Sequence, residues 1–342
     1  MKILVITQKV DENDDNLGFF HGWLEEFSKQ TDKVLVIAQF VGAYHLPSNV
    51  EVFSLGKEKG YSEIRQLVNF WKLLFRNLSK IDAVFAHMIP MWIVLGCPLF
   101  KFYRKNVYLW YVHKSVNLWL EIAEKCIKKI FTASKESCRL KSEKIVITGH
   151  GIDSDFFKPD VQKGKRDGKF KIISAGRITA VKNIDILIEA AEILKNKKFD
   201  FEIKVAGAPI LEKDKIYFEK LENIIKEKKI EDKIIFTGAI PHKDIVEFYK
   251  RGDLFVNLSD TGSIDKAILE AMASGPLVLT SNEAFKNILP EKYFVGKNPE
   301  EIAQKIIALS KADFDPVLRE YVIGSHGLKK LVEKLSAEMD FL

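Results

Sequence analysis

The feature that most constrains this chain is a rhythm. Short apolar runs at Lys2–Thr7, Val34–Ala38, Ala83–His87, Val107–Val112, Ile130–Ala133 and Ile145–Ile147 read as β-strands. Amphipathic helical stretches, such as Phe19–Lys29 and Ser62–Ser79, lie between most of them. A tight turn cannot join two parallel strands, so strand–helix–strand order predicts a parallel sheet with crossover helices.

The rhythm breaks at Lys158–Lys169, KPDVQKGKRDGK, a polar stretch with proline, glycine and no periodicity. It then restarts, with strands predicted at Phe170–Ala175, Phe201–Ala206, Ile234–Thr237, Leu254–Leu258, Leu277–Thr280 and Tyr293–Val295. A last helix spans about Gly327–Met339. A chain of 342 residues is long for one hydrophobic core. The fold class is therefore α/β, with two doubly wound Rossmann-like domains facing a central cleft. The boundaries read as 1–158, a linker at 159–169, 170–320, and a C-terminal helix at 321–342 that packs back toward the first domain. Ligands of such sheets bind beyond the carboxyl ends of the strands.

Composition narrows the function classes. The 53 basic and 47 acidic residues leave a net charge of +6, which suits an anionic small molecule or an acidic membrane surface without demanding nucleic acid. Cys97, Cys126 and Cys138 form no CxxC pair, so buried or free thiols in a reducing cytosol are expected. The apolar start Ile3–Ile6 is too short for a signal peptide and reads as a strand. The apolar run Met88–Phe100 is interrupted by Pro90, Gly96 and Pro98 and falls short of the ~20 residues of a membrane span. No metal-ligand cluster stands out, and none is expected.

The clearest candidate site is SAGRITAVKN, Ser174–Asn183. A strand ends at Ala175, Gly176 permits a turn, and a helix capped by Asn183 follows, with Ile184, Leu187, Ile188 and Ala191 on one face. Arg177 offers a planar fork of donors and Lys182 a compact charge, both suited to phosphate oxygens at a helix N-terminus. Two solvated loop cations would be the plain alternative. Gly207-Ala208-Pro209 and Gly238-Ala239-Ile240-Pro241 repeat the strand-to-glycine turn, which places small residues along one edge against which a flat nucleotide could lie.

The stretch Thr261–Gly275, TGSIDKAILEAMASG, predicts a helix capped by Ser263 and ended by Gly275. Ile268, Leu269 and Met272 share a buried stripe; Ser263, Lys266 and Glu270 share another face. Glu270 is read either as a surface partner of Lys266 or as a carboxylate that accepts ribose hydroxyls.

In this order, SAGRITAVKN, GAPI, FTGAIPHKDIVEFYKRGDLFVNLS and KAILEAMASGPLV resemble the C-terminal domain of retaining glycosyltransferases of family 4 (glycosyl transferases group 1), which have the GT-B fold. The resemblance is densest over Lys171–Asn282. It implies that Arg177 and Lys182 hold a donor diphosphate, that Glu270 contacts the ribose, and that Gly176, Gly207, Ala239 and Ile240 line the donor. The family's partner acid, eight positions before Glu270, is Gly262 here. Of the neighbouring acids, Asp265 is the preferred replacement over Asp260 as the carboxylate facing the sugar. In the first half, NLGFFHGW matches the family's glycine-rich loop best at Gly18, and LWYVHKS resembles the strand whose histidine, here His113, reaches the transferred sugar. His87 ranks below His113, and His150 is expected to serve a structural or hinge role.

The resemblance implies a nucleotide-sugar-binding second domain, an acceptor-binding first domain, and transfer from a UDP- or GDP-type donor to a glycan or lipid-linked hydroxyl without cofactor or metal. A non-catalytic GT-B subunit that scaffolds a partner is the alternative, supported by Gly262. Ser62–Ser79 and Lys101–Lys105 mix aromatic and basic residues. They suggest peripheral contact with the inner face of the membrane by a cytoplasmic protein, or else core helices with a solvated face.

Overall fold

The computed structural model describes residues 1–160 and 168–339. Most of the polar stretch read as a linker lies outside the described residues. The chain divides into two compact units, one of residues 1–153, 241–243 and 326–342, the other of residues 154–240 and 244–325.

Among the described residues the first unit holds a parallel sheet of β1 (Lys2–Val10), β2 (Lys33–Val41), β3 (Val50–Ser54), β4 (Ala83–His87), β5 (Asn106–Trp110), β6 (Lys129–Thr132) and β7 (Ile145–Ile147), in the order β3-β2-β1-β4-β5-β6-β7. β3 is absent from the sequence reading. Its exposed Glu51 and half-buried Val52–Ser54 give a weak apolar signal, and pairing along β2 makes it a strand. Helices α1 (Phe20–Gln30), α2 (Glu63–Asn77), α3 (Pro90–Phe102) and α4 (Leu118–Glu124) supply the crossovers. One face buries Phe70, Leu74, Trp92, Phe100 and Leu120. The other buries Phe20, Trp23 and Phe27 of α1 together with Leu331, Val332 and Leu335 of the C-terminal helix Leu328–Glu338.

The expectation of free thiols is corrected for two cysteines. Packing of α3 on α4 brings the Cα atoms of Cys97 and Cys126 to 6.1 Å, and the two form a disulfide. Cys138 is a free, buried thiol whose pKa burial raises.

The second unit repeats the plan with β8 (Phe170–Ala175), β9 (Phe201–Ala206), β10 (Ile234–Gly238), β11 (Leu254–Asn257) and β12 (Leu277–Thr280), in the parallel order β10-β9-β8-β11-β12 among the described residues. Its helices are α5 (Ile184–Asn196), α6 (Glu212–Glu227), α7 (His242–Arg251), α8 (Lys266–Ser274), α9 (Pro299–Leu309) and α10 (Pro316–His326); the C-terminal helix of the first unit is α11. The strand predicted at Tyr293–Val295 is not one. Tyr293 closes a 3-10 turn, and only a single bridge joins Phe294 to Thr280. No helix among the described residues is long and apolar enough to cross a membrane.

In this second sheet β8 pairs with β9 on one side and β11 on the other. The chain order reverses at β8, so the loops that leave β8 and β11 diverge at the carboxyl edge. Such a switch point is where an open α/β sheet receives its ligand.

Candidate functional site

The edge is built from glycine turns. Gly176, Gly207 and Gly238, at the ends of β8, β9 and β10, have φ of +135°, +144° and +77°. Side chains rarely tolerate such backbone. The turns are laced together: the Gly176 N–H donates to Ala206 O at 3.0 Å and the Gly207 N–H to Gly238 O at 2.8 Å. A Cβ on Gly207 would fall 1.9 Å from the Gly176 carbonyl oxygen, so this close approach requires glycine. After β10, Ala239 is exposed and Ile240 half-buried.

From Gly176 the chain passes Arg177 and a 3-10 turn at Ala180–Lys182 before α5 begins. The predicted side-chain cap by Asn183 does not form. Asn183 instead adopts φ +50° and its Nδ2 donates to Leu258 O at 2.7 Å and Asp260 Oδ2 at 3.0 Å, which ties the β8 loop to the β11 loop. The free amides of Ile184 and Asp185 donate to the Tyr217 hydroxyl from α6, at 3.0 and 3.3 Å. Burial, reinforced by the Asp185 carboxylate, raises the Tyr217 pKa and keeps it a neutral phenol. Only the tertiary fold brings a tyrosine thirty-odd positions downstream to this helix end.

Arg177 and Lys182 both line a shallow polar depression, with Ser174, Gly176 and Asn257 among its walls. Gly207, Ala239, Ile240 and Glu270 do not line it. Each cation has an acid nearby. Lys182 Nζ lies 2.6 Å from Asp265 Oδ2, with both side chains largely buried. The field of Arg177 reaches Asp214, whose carboxyl is held below its usual range first by a hydrogen bond from Thr179 and further by the Leu211 amide and nearby cations. Asp214 itself bonds the Leu211 N–H at 3.1 Å.

Asp265, not the predicted Ser263, caps α8. Its Oδ1 accepts from the Ala267 N–H at 3.2 Å, while Oδ2 also accepts from Asn257 Nδ2 at 3.1 Å. Burial would raise its pKa, but Lys182 and these donors outweigh that and hold it below the carboxylate range. The carboxylate is thus committed to Lys182 and the helix end. Asp260 is committed as well, to Asn183 and Lys297.

Glu270 is buried in α8, 6% exposed, among Ile268, Leu269 and Met272, which are all buried. Its Oε2 accepts from the Tyr249 hydroxyl at 3.0 Å, and Oε1 pairs with Lys266 at 2.9 Å. The pair with Lys266 exists, but it is not the surface pair of the sequence reading. Tyr249 is 1% exposed and is raised well above its ordinary pKa, first by burial and then by Glu270. Burial lowers the Lys266 pKa against the pull of Glu270. Sequence reasoning missed Tyr249 and Asn257: α7 and β11 carry them, and neither position bears a local signal.

The remaining predicted residues lie in the first unit. Gly18 is buried at the start of α1, where a Cβ would come within 2.4 Å of Asp14 O. His113 is exposed beyond β5, with Nδ1 accepting from the Ser115 N–H at 3.0 Å. His87 is buried and stacked on Phe20, ring centroids 4.1 Å apart. The His150 N–H donates to His326 Nδ1 at 3.2 Å, beside the bridge between Ile152 and Gly327. Burial, with the charge of His150, pushes His326 down to about 4.

Residues 155–323 match the family described as glycosyl transferases group 1. Alpha-monoglucosyldiacylglycerol synthase of Streptococcus pneumoniae is 29% identical over 49% of this chain and 40% of its own length. The putative colanic acid biosynthesis glycosyltransferase WcaL of Escherichia coli is 28% identical over 51% of this chain and 44% of its own. The chain thus spans less than half the length of these curated relatives. Anabaena HepE, solved in complex with UDP, superposes with a TM-score of 0.77 at 16% identity over 100% of both chains. A glycosyltransferase from Rickettsia africae superposes with a TM-score of 0.74 at 17% identity over 99% of this chain and 98% of that one. The fold is GT-B, and the similarity to the glycosyl transferases group 1 family lies over residues 155–323.

Proposed function

We propose that this chain moves a sugar from a nucleoside diphosphate donor to a hydroxyl acceptor, a glycan or a lipid-linked compound. The carrying observation is the pair Arg177 and Lys182 on one depression at the β8 switch point. Transfer breaks the bond between the anomeric carbon and the diphosphate oxygen and leaves both electrons on the diphosphate. Two cations there stabilise that charge as it develops. They supply the charge that a divalent metal supplies elsewhere, so the reading is of a metal-independent reaction without cofactor.

Around that step the side chains take distinct roles. Asp265 positions Lys182 and holds the start of α8. Glu270 is fixed by Tyr249 and Lys266, and by family resemblance it is the carboxylate that meets the ribose. The glycine edge at Gly176 and Gly207, with Ala239 and Ile240, admits a flat base. By family resemblance, Gly18 and His113 serve the transferred sugar, and the anomeric configuration is retained. The reaction is placed in the cytoplasm, at the inner face of the membrane where the acceptor is lipid-linked.

A non-catalytic subunit is the second reading. The acid of the family pattern is missing at Gly262, and both neighbouring acids are committed elsewhere. One experiment separates the two: calorimetry with UDP and GDP, then slow hydrolysis of UDP- and GDP-sugars without acceptor. The UDP complex of Anabaena HepE supports testing UDP first. An enzyme binds and hydrolyses one donor; a scaffold binds without hydrolysis. Arg177→Ala and Lys182→Ala each remove a charge-assisted contact of about 1.5–3 kcal/mol, so nucleoside diphosphate affinity falls roughly ten- to a hundredfold. Unchanged affinity in both variants would refute the diphosphate site.

A further inference from the structure

Helix α2 is amphipathic twice over. Gln66, Phe70, Leu74 and Asn77 are buried against the first unit. On its outer side Ile64, Val68, Trp71 and Phe75 follow at intervals of four, three and four, a second apolar stripe, and all four are exposed. Ile64 is 76% exposed and Phe75 58%, values foreign to a face meant only for water. The Trp71 Nε1–H donates to Leu95 O of α3 at 3.0 Å, so the stripe abuts α3. There Phe102 stands 77% exposed at the helix end. Helix α4, packed on α3, adds exposed Leu118 and Trp119.

The charge beside the stripe is mostly positive. Arg65, Lys72 and Arg76 on α2 and Lys101 on α3 are exposed, against Glu63 as the exposed acid of α2. Positive charge continues past α2: Arg76 and Lys80 line a depression with Lys2 and Lys33, the last paired with Glu51 at 3.0 Å. A two-fold dimer through this face would bring the like-charged residues of two copies together. An anionic bilayer instead accepts the apolar stripe among its acyl chains and the bases among its headgroups.

We propose that the outer face of α2 and α3 docks the protein on an anionic lipid bilayer. This stands independently of the transferase reading. The test is co-sedimentation of the full chain with vesicles of phosphatidylcholine alone or mixed with phosphatidylglycerol, at low and high salt. The wild type should bind the mixed vesicles at low salt, about tenfold less at high salt, and the neutral vesicles weakly. Ile64→Glu with Phe75→Glu, and separately Lys72→Glu with Arg76→Glu, should each reduce binding at least about tenfold. Thermal melts and nucleoside diphosphate affinity should stay at wild-type values, which shows that the fold is intact and keeps the two readings separable. Wild type that fails to sediment with anionic vesicles, or variants that bind like wild type, would overturn the proposal. So would a dimer in sedimentation equilibrium that Ile64→Glu with Phe75→Glu dissolves in the absence of vesicle binding.

Discussion

Replacing Asp265 with asparagine tests the site most sharply. Asparagine caps a helix about as well as aspartate, so the start of α8 should survive. What goes is the ion pair to Lys182, 2.6 Å long between side chains 18% and 12% exposed. With so little solvent to screen it, a charge-assisted bond of this kind is worth about 1.5–3 kcal/mol. For a unit of this size that is a fall in melting temperature of roughly 3–12 °C. The sign with pH is fixed by the depressed pKa of Asp265. The contribution is fully present above the ordinary aspartate pKa of about 3.9 and is lost as pH falls below it toward the lower native value. Calorimetric melts of wild type and variant should therefore differ at neutral pH and converge in acid. Nucleoside diphosphate should bind Asp265→Asn about fivefold tighter, because a carboxylate that repels the phosphates and competes for Lys182 is gone, on the order of 1 kcal/mol. Equal melting at neutral pH together with unchanged affinity would refute the pairing of Lys182 with Asp265 as the organising contact.

Two other substitutions probe the scaffold. Gly207→Ala should cost roughly 3 kcal/mol or more, since its Cβ would meet the Gly176 carbonyl 1.9 Å away at a φ of +144°; thermal melts check this, and nucleoside diphosphate affinity should fall with it as Gly176 shifts Arg177. Tyr249→Phe removes a buried donor from Glu270 and should lower stability by about 1.5–3 kcal/mol without change at the Lys182 pair, measured by melting and by a double-mutant cycle with Asp265→Asn that comes out near additive.

The sequence by itself determined the architecture and the location of the cations. Parallel strands buried on both faces leave a plain apolar signature, so most strands and the two-sheet plan were legible from local pattern alone. Gly176, Gly207 and Gly238 were visible too, because a glycine after a strand reports a backbone demand that is itself local. Tertiary structure decided what no window of sequence contains. β3 exists because β2 pairs with it, and Phe294 gains only one bridge because the chain there tightens into a turn. Cys97 meets Cys126 because α3 packs on α4. Asn183 bonds across to the β11 loop while Tyr217 takes its place at the helix amides. Asp265, read from sequence as an acid facing the sugar, is the partner of Lys182, 83 positions away in the chain, and Glu270, left open between a surface pair and a ribose contact, is buried and held by Tyr249. Backbone preference acts over a few residues and is written in them. The partner of a charge is set by which loops the sheet order brings together, and that depends on the whole chain.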